Sequence, residues 1–227
     1  MCCSKGKAVL PALSPTPPVL AELLQSNSDE AKGFRRHIRM YNSALSFASL
    51  GVQMDESVAN GRGGAYSFRI HGSVYHQIGG LLPRQEGEQP AFAQIYFHDT
   101  ENELANRHRI APHLAMTTLS LLQDMMHNVN PFFHAFKNFL QLEREQREAN
   151  GSLPDFRLLI RAEGSPDGRR YNPPSASEVG VVMLESDHAA HRDIVLRKRS
   201  GGLERIDETH QYYDALHYVL IFPFGEA

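Results

Sequence analysis

The chain has 227 residues, of which 41% are hydrophobic and 22% charged, with a formal net charge of −3. This composition can build a core, and a near-neutral total charge excludes whole-molecule attraction to polyanions while leaving local basic patches open. No apolar run reaches transmembrane length, no signal-peptide pattern opens the chain, and Cys2 and Cys3, the only cysteines, exclude a disulfide framework. The expectation is an intracellular, non-secreted protein without a membrane span.

Residues 1–18 hold the proline-rich "LPALSPTPP", which reads as a linker or surface strap. Cys2 and Cys3 before it supply at most half of the four ligands that a tetrahedral zinc site requires. Helical periodicity follows. Val19, Leu20, Leu23 and Leu24 share one face of a short helix, and Ser28 is a candidate N-cap ahead of Asp29 and Glu30. Phe34, Ile38, Tyr41 and Leu45 recur at helical spacing, so residues 29 to about 49 read as a second helix with Gly51 near its end. After "NGRGG", the residues Tyr66, Phe68 and Ile70 alternate, a turn falls at His71-Gly72-Ser73, and a second strand resumes at Val74. Residues 90–99, "PAFAQIYFHD", read as a third strand.

Helices then return. Thr100 and Glu103 have capping-box spacing. Residues 114–129 carry Leu119, Leu122, Met126 and Val129 on one stripe, and Asn130-Pro131 breaks the run so that Pro131 opens a new helix. That helix carries Phe132, Phe133, Phe136, Phe139 and Leu140 on one face, with the pairs Glu143–Arg147 and Arg144–Glu148 in its solvated second half, and ends near Asn150-Gly151. A subdivision of the chain is expected near residue 150. Strand candidates follow at 156–163, 178–185, 192–198 and 218–224. The order of elements predicts an α+β fold, with helices interspersed with mainly antiparallel strands and a β-rich C-terminal third.

Chemistry is harder to find. His188 and His191 beside Asp187 are three apart, but they fall in a connection and lack further ligands. The sequence has no phosphate-binding loop and no Gly-x-Ser-x-Gly elbow. Tyr212-Tyr213 could act as a nucleophile on DNA, yet such chemistry needs a metal, and the chain holds no His-hydrophobic-His triplet to bind one. What remains is basic. Arg35, Arg36 and Arg39 cluster on the second helix, Arg169 and Arg170 precede Tyr171, and Arg197, Lys198 and Arg199 end a strand. Arginines beside aromatic residues can grip phosphates and stack bases. The bland alternative is a solvated surface.

Long segments carry a resemblance. "CCSKGKAVLP", "FRRHIRMYNSALSFASLGVQMD", "YSFRIHGSVYHQIGGLLP", "PAFAQIYFHDTENELANR", "MMHNVNPFFHAF", "LIRAEGSPDGRRYNPPSASEVGVVML" and "RDIVLRKRSGGLERIDETHQYYDALHYVLIFPFGE" stand in this order along the chain. Together they resemble the Helitron-type rolling-circle transposases, the Helitron helicase-like proteins, in the region upstream of the nuclease motif. The resemblance implies a chain whose residues 1–18 retain part of a zinc-binding region and whose residues 19–227 form the Helitron helicase-like N-terminal region. It also implies that Cys2 and Cys3 complete a zinc site whose other ligands lie upstream, so the chain alone is expected to hold no cofactor. The family's catalytic histidines, tyrosines and nucleotide-binding loop match no position here, so no enzymatic activity is expected of this chain.

The leading expectation is a non-catalytic module that contacts single-stranded or duplex DNA, or supports the nuclease and helicase domains of the same polypeptide, in the nucleus or elsewhere inside the cell. The candidate contacts are Arg35, Arg36, Arg39, Arg169, Arg170, Arg197, Lys198 and Arg199. Two alternatives are a DNA-nicking enzyme using Tyr212 or Tyr213 and a structural or protein-interaction domain without DNA binding. Under the leading reading the chain is cut at both ends, and Tyr218 to Phe224 forms an edge or poorly covered strand.

Overall fold

The computed structural model describes residues 14–54, 70–82, 87–97, 101–150, 157–160, 180–183, 194–197 and 203–226. In chain order the elements are α1 (Pro18–Gln25), α2 (Asp29–Leu45), β1 (Ser49–Met54), β2 (Ile70–Ile78), α3 (Ala93–Phe97), α4 (Glu103–Ile110), α5 (Met116–Val129) and α6 (Pro131–Asn150). β3 (Arg157–Ile160), β4 (Gly180–Met183), β5 (Ile194–Arg197), β6 (Glu204–Arg205) and α7 (Tyr213–His217) follow. The chain thus mixes helices with two small antiparallel sheets, ordered β1-β2-β6 and β4-β3-β5. The expectation of a β-rich C-terminal third falls largely on 161–179, 184–193 and 198–202, outside the described residues.

The helical half follows local rules. Ser28 accepts a hydrogen bond from Ala31 N at 3.1 Å, the N-cap geometry, and Asp29 and Glu30 place negative charge in the first turn of α2. Phe34, Tyr41 and Leu45 are buried on one stripe against Leu20 and Leu23 of α1. Asn130 joins α5 to α6. Its backbone N–H closes the last turn of α5 on Met126 O, while its side-chain oxygen accepts from Phe132 N and Phe133 N at the start of α6. Phe132, Phe136 and Phe139 then enter the core, with Phe47 in tilted ring contacts with Tyr96, Phe132 and Phe136. One hydrophobic cluster runs from Leu20 to Leu220 and takes in Leu158, Ile160, Ile194 and Leu196 of the second sheet.

Several local expectations yield to tertiary contacts. Helix α2 ends at Leu45, because Phe47 N and Ala48 N both donate to Leu216 O, at 2.9 and 3.0 Å, and draw the chain into an extended path. Gly51 therefore lies in β1. A Cβ there would sit 2.5 Å from the Tyr75 ring and 2.8 Å from the Gln77 side chain, so only glycine allows the approach. No turn forms at His71-Gly72-Ser73; these residues continue β2. Gly51 pairs with Tyr75 and Gln53 with His71, so the local turn signal becomes an irregularity in register. Tyr66 and Phe68 lie outside the described residues.

The expected strand at 90–99 is the short helix α3. Gln94 accepts from Ala91 N at 3.2 Å and donates to the Gly80 and Leu82 carbonyls, while Ala93 N donates to Phe47 O at 3.1 Å. Ala93, Ile95, Tyr96 and Phe97 are all buried, and a segment covered on every side loses the alternation that distinguishes strand from helix. The capping box also fails. Asn102 occupies the N-cap position of α4 without a side-chain cap, and Glu103 instead pairs with Arg107 at 3.0 Å and His127 at 2.9 Å. Arg107 is fully buried, lies 4.2 Å from the Tyr96 ring centre and also donates to the Gln123 amide oxygen. In the second half of α6 Gln141 donates to Glu145 at i,i+4, while the side chains of the expected pair Glu143–Arg147 lie outside the described residues.

The segment 218–224 is a series of turns and forms no strand. Ile221 N and Phe222 N both donate to Tyr218 O, and Gly225 follows with φ +64°. Two side-chain amides hold it: Asn42 accepts from Leu220 N at 3.1 Å, and the buried Asn130 donates to Pro223 O at 3.1 Å. Val219 and Leu220 are buried, whereas Ile221 is 68% exposed. The expected edge strand is overturned by these side-chain bonds, which occupy the backbone groups a ladder would use.

Candidate functional site

Helix α2 carries the one predicted basic cluster whose side chains are described, and the structure divides it. Arg35 turns inward and donates from Nη1 to the carbonyls of Leu23, Leu24 and Ser26, at 3.0, 3.2 and 2.7 Å. It thereby satisfies the orphan carbonyls at the end of α1 and serves packing. Arg36 and Arg39 are exposed, and neither makes an ion pair with a described residue. Between them the helix kinks, with His37 at φ −114° and ψ 16°.

Arg39 lines a pocket of about 260 Å³. Its α2 wall is completed by Met40, Ser43 and Ala44, positions outside the Phe34–Tyr41–Leu45 stripe. The opposite wall comes from Ala91, Phe92 and Ile95 at the start of α3, and the rim from Ile110, Ala111 and His113 after α4. Met40 and Ile110 are 40% and 53% exposed, so the apolar lining reaches solvent. The His113 imidazole approaches Met40 Sδ to 3.0 Å, and the His37 ring lies 6.2 Å from His113.

Two features set this pocket apart. Phe92 has φ +51°, a left-handed conformation that costs a non-glycine residue about 1–3 kcal/mol and is retained where the surroundings impose it. Here the surroundings are the Gln94 cap and the Ala93–Phe47 backbone bond. The second feature is charge. The three stretches that supply the lining, 31–54, 89–98 and 104–123, contain no Asp or Glu, and of their Lys and Arg side chains only Arg39 lines the pocket. A mainly apolar lining with Arg39 beside it and no carboxylate among its residues suits an anion that carries a flat or apolar group.

A second cluster gathers around His76. Its Nδ1 lies 2.9 Å from Tyr213 O, its ring stacks on Tyr213 and His217, and its backbone N–H donates to the Tyr213 hydroxyl at 3.0 Å. Burial is the main cause of a lowered His76 pKa, opposed by the Tyr213 carbonyl and reinforced by His217, with Asp214 acting in the raising direction. His217 Nδ1 lies 2.8 Å from Ala48 O. Tyr212 sets its ring edge-on to Phe132 at 5.2 Å. Both tyrosines named as candidate nucleophiles are therefore built into the packing between α7, β2 and α6.

The remaining predicted residues are less accessible to description. Arg197 lies in β5, with Arg157 of β3 as its register partner, and its side chain is outside the described set. Arg169, Arg170, Lys198, Arg199, Cys2, Cys3, His188 and His191 also lie outside the described residues. Among the described residues no group of three or more His, Cys, Asp or Glu side chains is placed to hold a metal ion, and no helix is long and apolar enough to cross a membrane. Sequence reasoning missed Met40, Phe92, Ile110 and His113. The available signal was the outward spacing Arg36–Arg39–Met40–Ser43, combined with the lack of acids in all three stretches.

Comparison with protein-family models, curated proteins and solved structures returns no match. The functional reading therefore rests on the residues themselves.

Proposed function

We propose that this chain is a non-catalytic, DNA-contacting module that engages phosphates through the outer face of α2. The observation that carries the reading is the division of the arginine cluster. Arg35 is committed to the end of α1, whereas Arg36 and Arg39 remain exposed, with Arg39 beside a mainly apolar pocket whose lining holds no Asp or Glu. Unpaired cations one helical turn apart are suited to successive backbone phosphates. The resemblance to Helitron-type transposases supports the same reading. In it the module works beside nuclease and helicase domains of a longer polypeptide, in the nucleus or elsewhere inside the cell, and Cys2 and Cys3 join zinc ligands supplied from upstream. The C-terminal third is then β-rich, with Arg169, Arg170, Arg197, Lys198 and Arg199 adding phosphate contacts.

The test is anisotropy of a fluorescent single-stranded oligonucleotide, titrated with the full chain across a salt series. Binding should weaken linearly in log–log form, and the Arg36→Ala/Arg39→Ala double variant should reduce the slope by about 0.7 per lost contact. No binding by the wild-type chain at low salt would overturn the proposal and favour a structural or protein-interaction role.

A further inference from the structure

The pocket beside Arg39 holds more information than a phosphate contact requires. A backbone-only site needs cations and little else, yet here Arg39 stands at the mouth of a cavity of about 260 Å³ with a mainly apolar lining. That volume lies just below the range of about 300–1,000 Å³ typical of drug-sized ligand sites, so it suits a single ring system. We infer that the pocket receives one unpaired nucleobase of a single strand whose phosphates lie on Arg36 and Arg39. The inference rests on the DNA-contacting reading and names what the same site would read.

The lining matches a base in shape and chemistry. Met40 and Ile110 form exposed apolar lips, and a polarizable thioether is a favourable neighbour for an aromatic face. Phe92 and Ile95 form the inner wall, and the positive φ of Phe92 fixes the chain beside the opening. The polar side chains of the lining besides Arg39 are Ser43 and His113, whose hydroxyl and imidazole can meet the hydrogen-bonding edge of a base. A paired base keeps its ring inside the duplex stack, so the site selects single strands.

The experiment compares oligo(dT) with a backbone-only strand of the same length made of abasic units, both titrated against the full 227-residue chain at several salt concentrations. The wild-type chain should prefer oligo(dT) by roughly tenfold, within the range expected for stacking of one base. Ala44→Leu, which fills the pocket, should bring that ratio toward one. Ile110→Ser, at an exposed lip position that folding does not require, should also lower the ratio. Equal binding of both strands by the wild-type chain, or a ratio unchanged in both variants, overturns the base pocket while leaving phosphate contact standing. Binding of neither strand overturns both readings together.

Discussion

At the scale of single residues, the clearest physical contrast is between side chains of the same type given different work. Arg35 and Arg39 are one helical turn apart, yet one satisfies three carbonyls and the other faces solvent at a pocket. Only the position of α1 separates them, which is why the sequence shows three equivalent arginines. Histidines divide in the same way. The Tyr213 carbonyl can only accept, so His76 Nδ1 carries a hydrogen, and the buried ring favours the neutral form. The folded state therefore takes up the His76 proton at lower pH than the unfolded chain, whose ordinary value is 6.5. Stability from this residue is complete above pH 6.5 and is lost as pH falls from there through the lowered folded pKa. Urea midpoints should fall between pH 7.5 and pH 5.5, and His76→Asn, which keeps a donor for the Tyr213 carbonyl, should flatten that dependence. Parallel profiles for both proteins would contradict this assignment.

At the scale of elements, local rules succeed wherever hydrogen bonding is itself local. The Ser28 cap, the burial stripe of α2 and the start of α6 at Pro131 all follow from short-range spacing. Asn130 carries the last of these. Its fully buried side chain caps α6 and anchors the C-terminal turns through Pro223 O, while its backbone N–H closes α5. Asn130→Ala removes the cap and strands a buried carbonyl, for a combined cost of about 2–4 kcal/mol. Asn130→Ser keeps a cap acceptor and loses the donor to Pro223, so it should cost less than alanine. Chemical denaturation of the three proteins checks the order. Elements with distant partners were not legible in this way. Residues 90–99 read as an apolar run without the alternation that separates strand from helix, and the Gln94 bonds and the Ala93 bond to Phe47 O select the helical turn.

At the scale of the whole molecule, the C-terminal segment closes the core through contacts far away in sequence. Leu216 O receives two backbone bonds from Phe47 and Ala48, just after α2, and Asn42 donates to His217 O and accepts from Leu220 N. Burial along the segment follows turns: Val219 and Leu220 are covered and Ile221 is open. Leu220→Ala should accordingly lower stability by about 2–5 kcal/mol, whereas Ile221→Ala should change it by no more than about 0.5 kcal/mol. Similar losses at both positions, measured by urea denaturation, would favour a strand covered on both faces. The sequence by itself determined the long helices, their caps and the basic character of α2, because i→i−4 bonding and apolar spacing are written within a few residues. Tertiary structure alone decided that "YVLIFPF" becomes turns, that Gly51 joins a strand beneath Tyr75, and that Arg39 meets a pocket. Those outcomes depend on which distant backbone groups and side chains arrive to bond or cover a segment, and no local pattern carries that information.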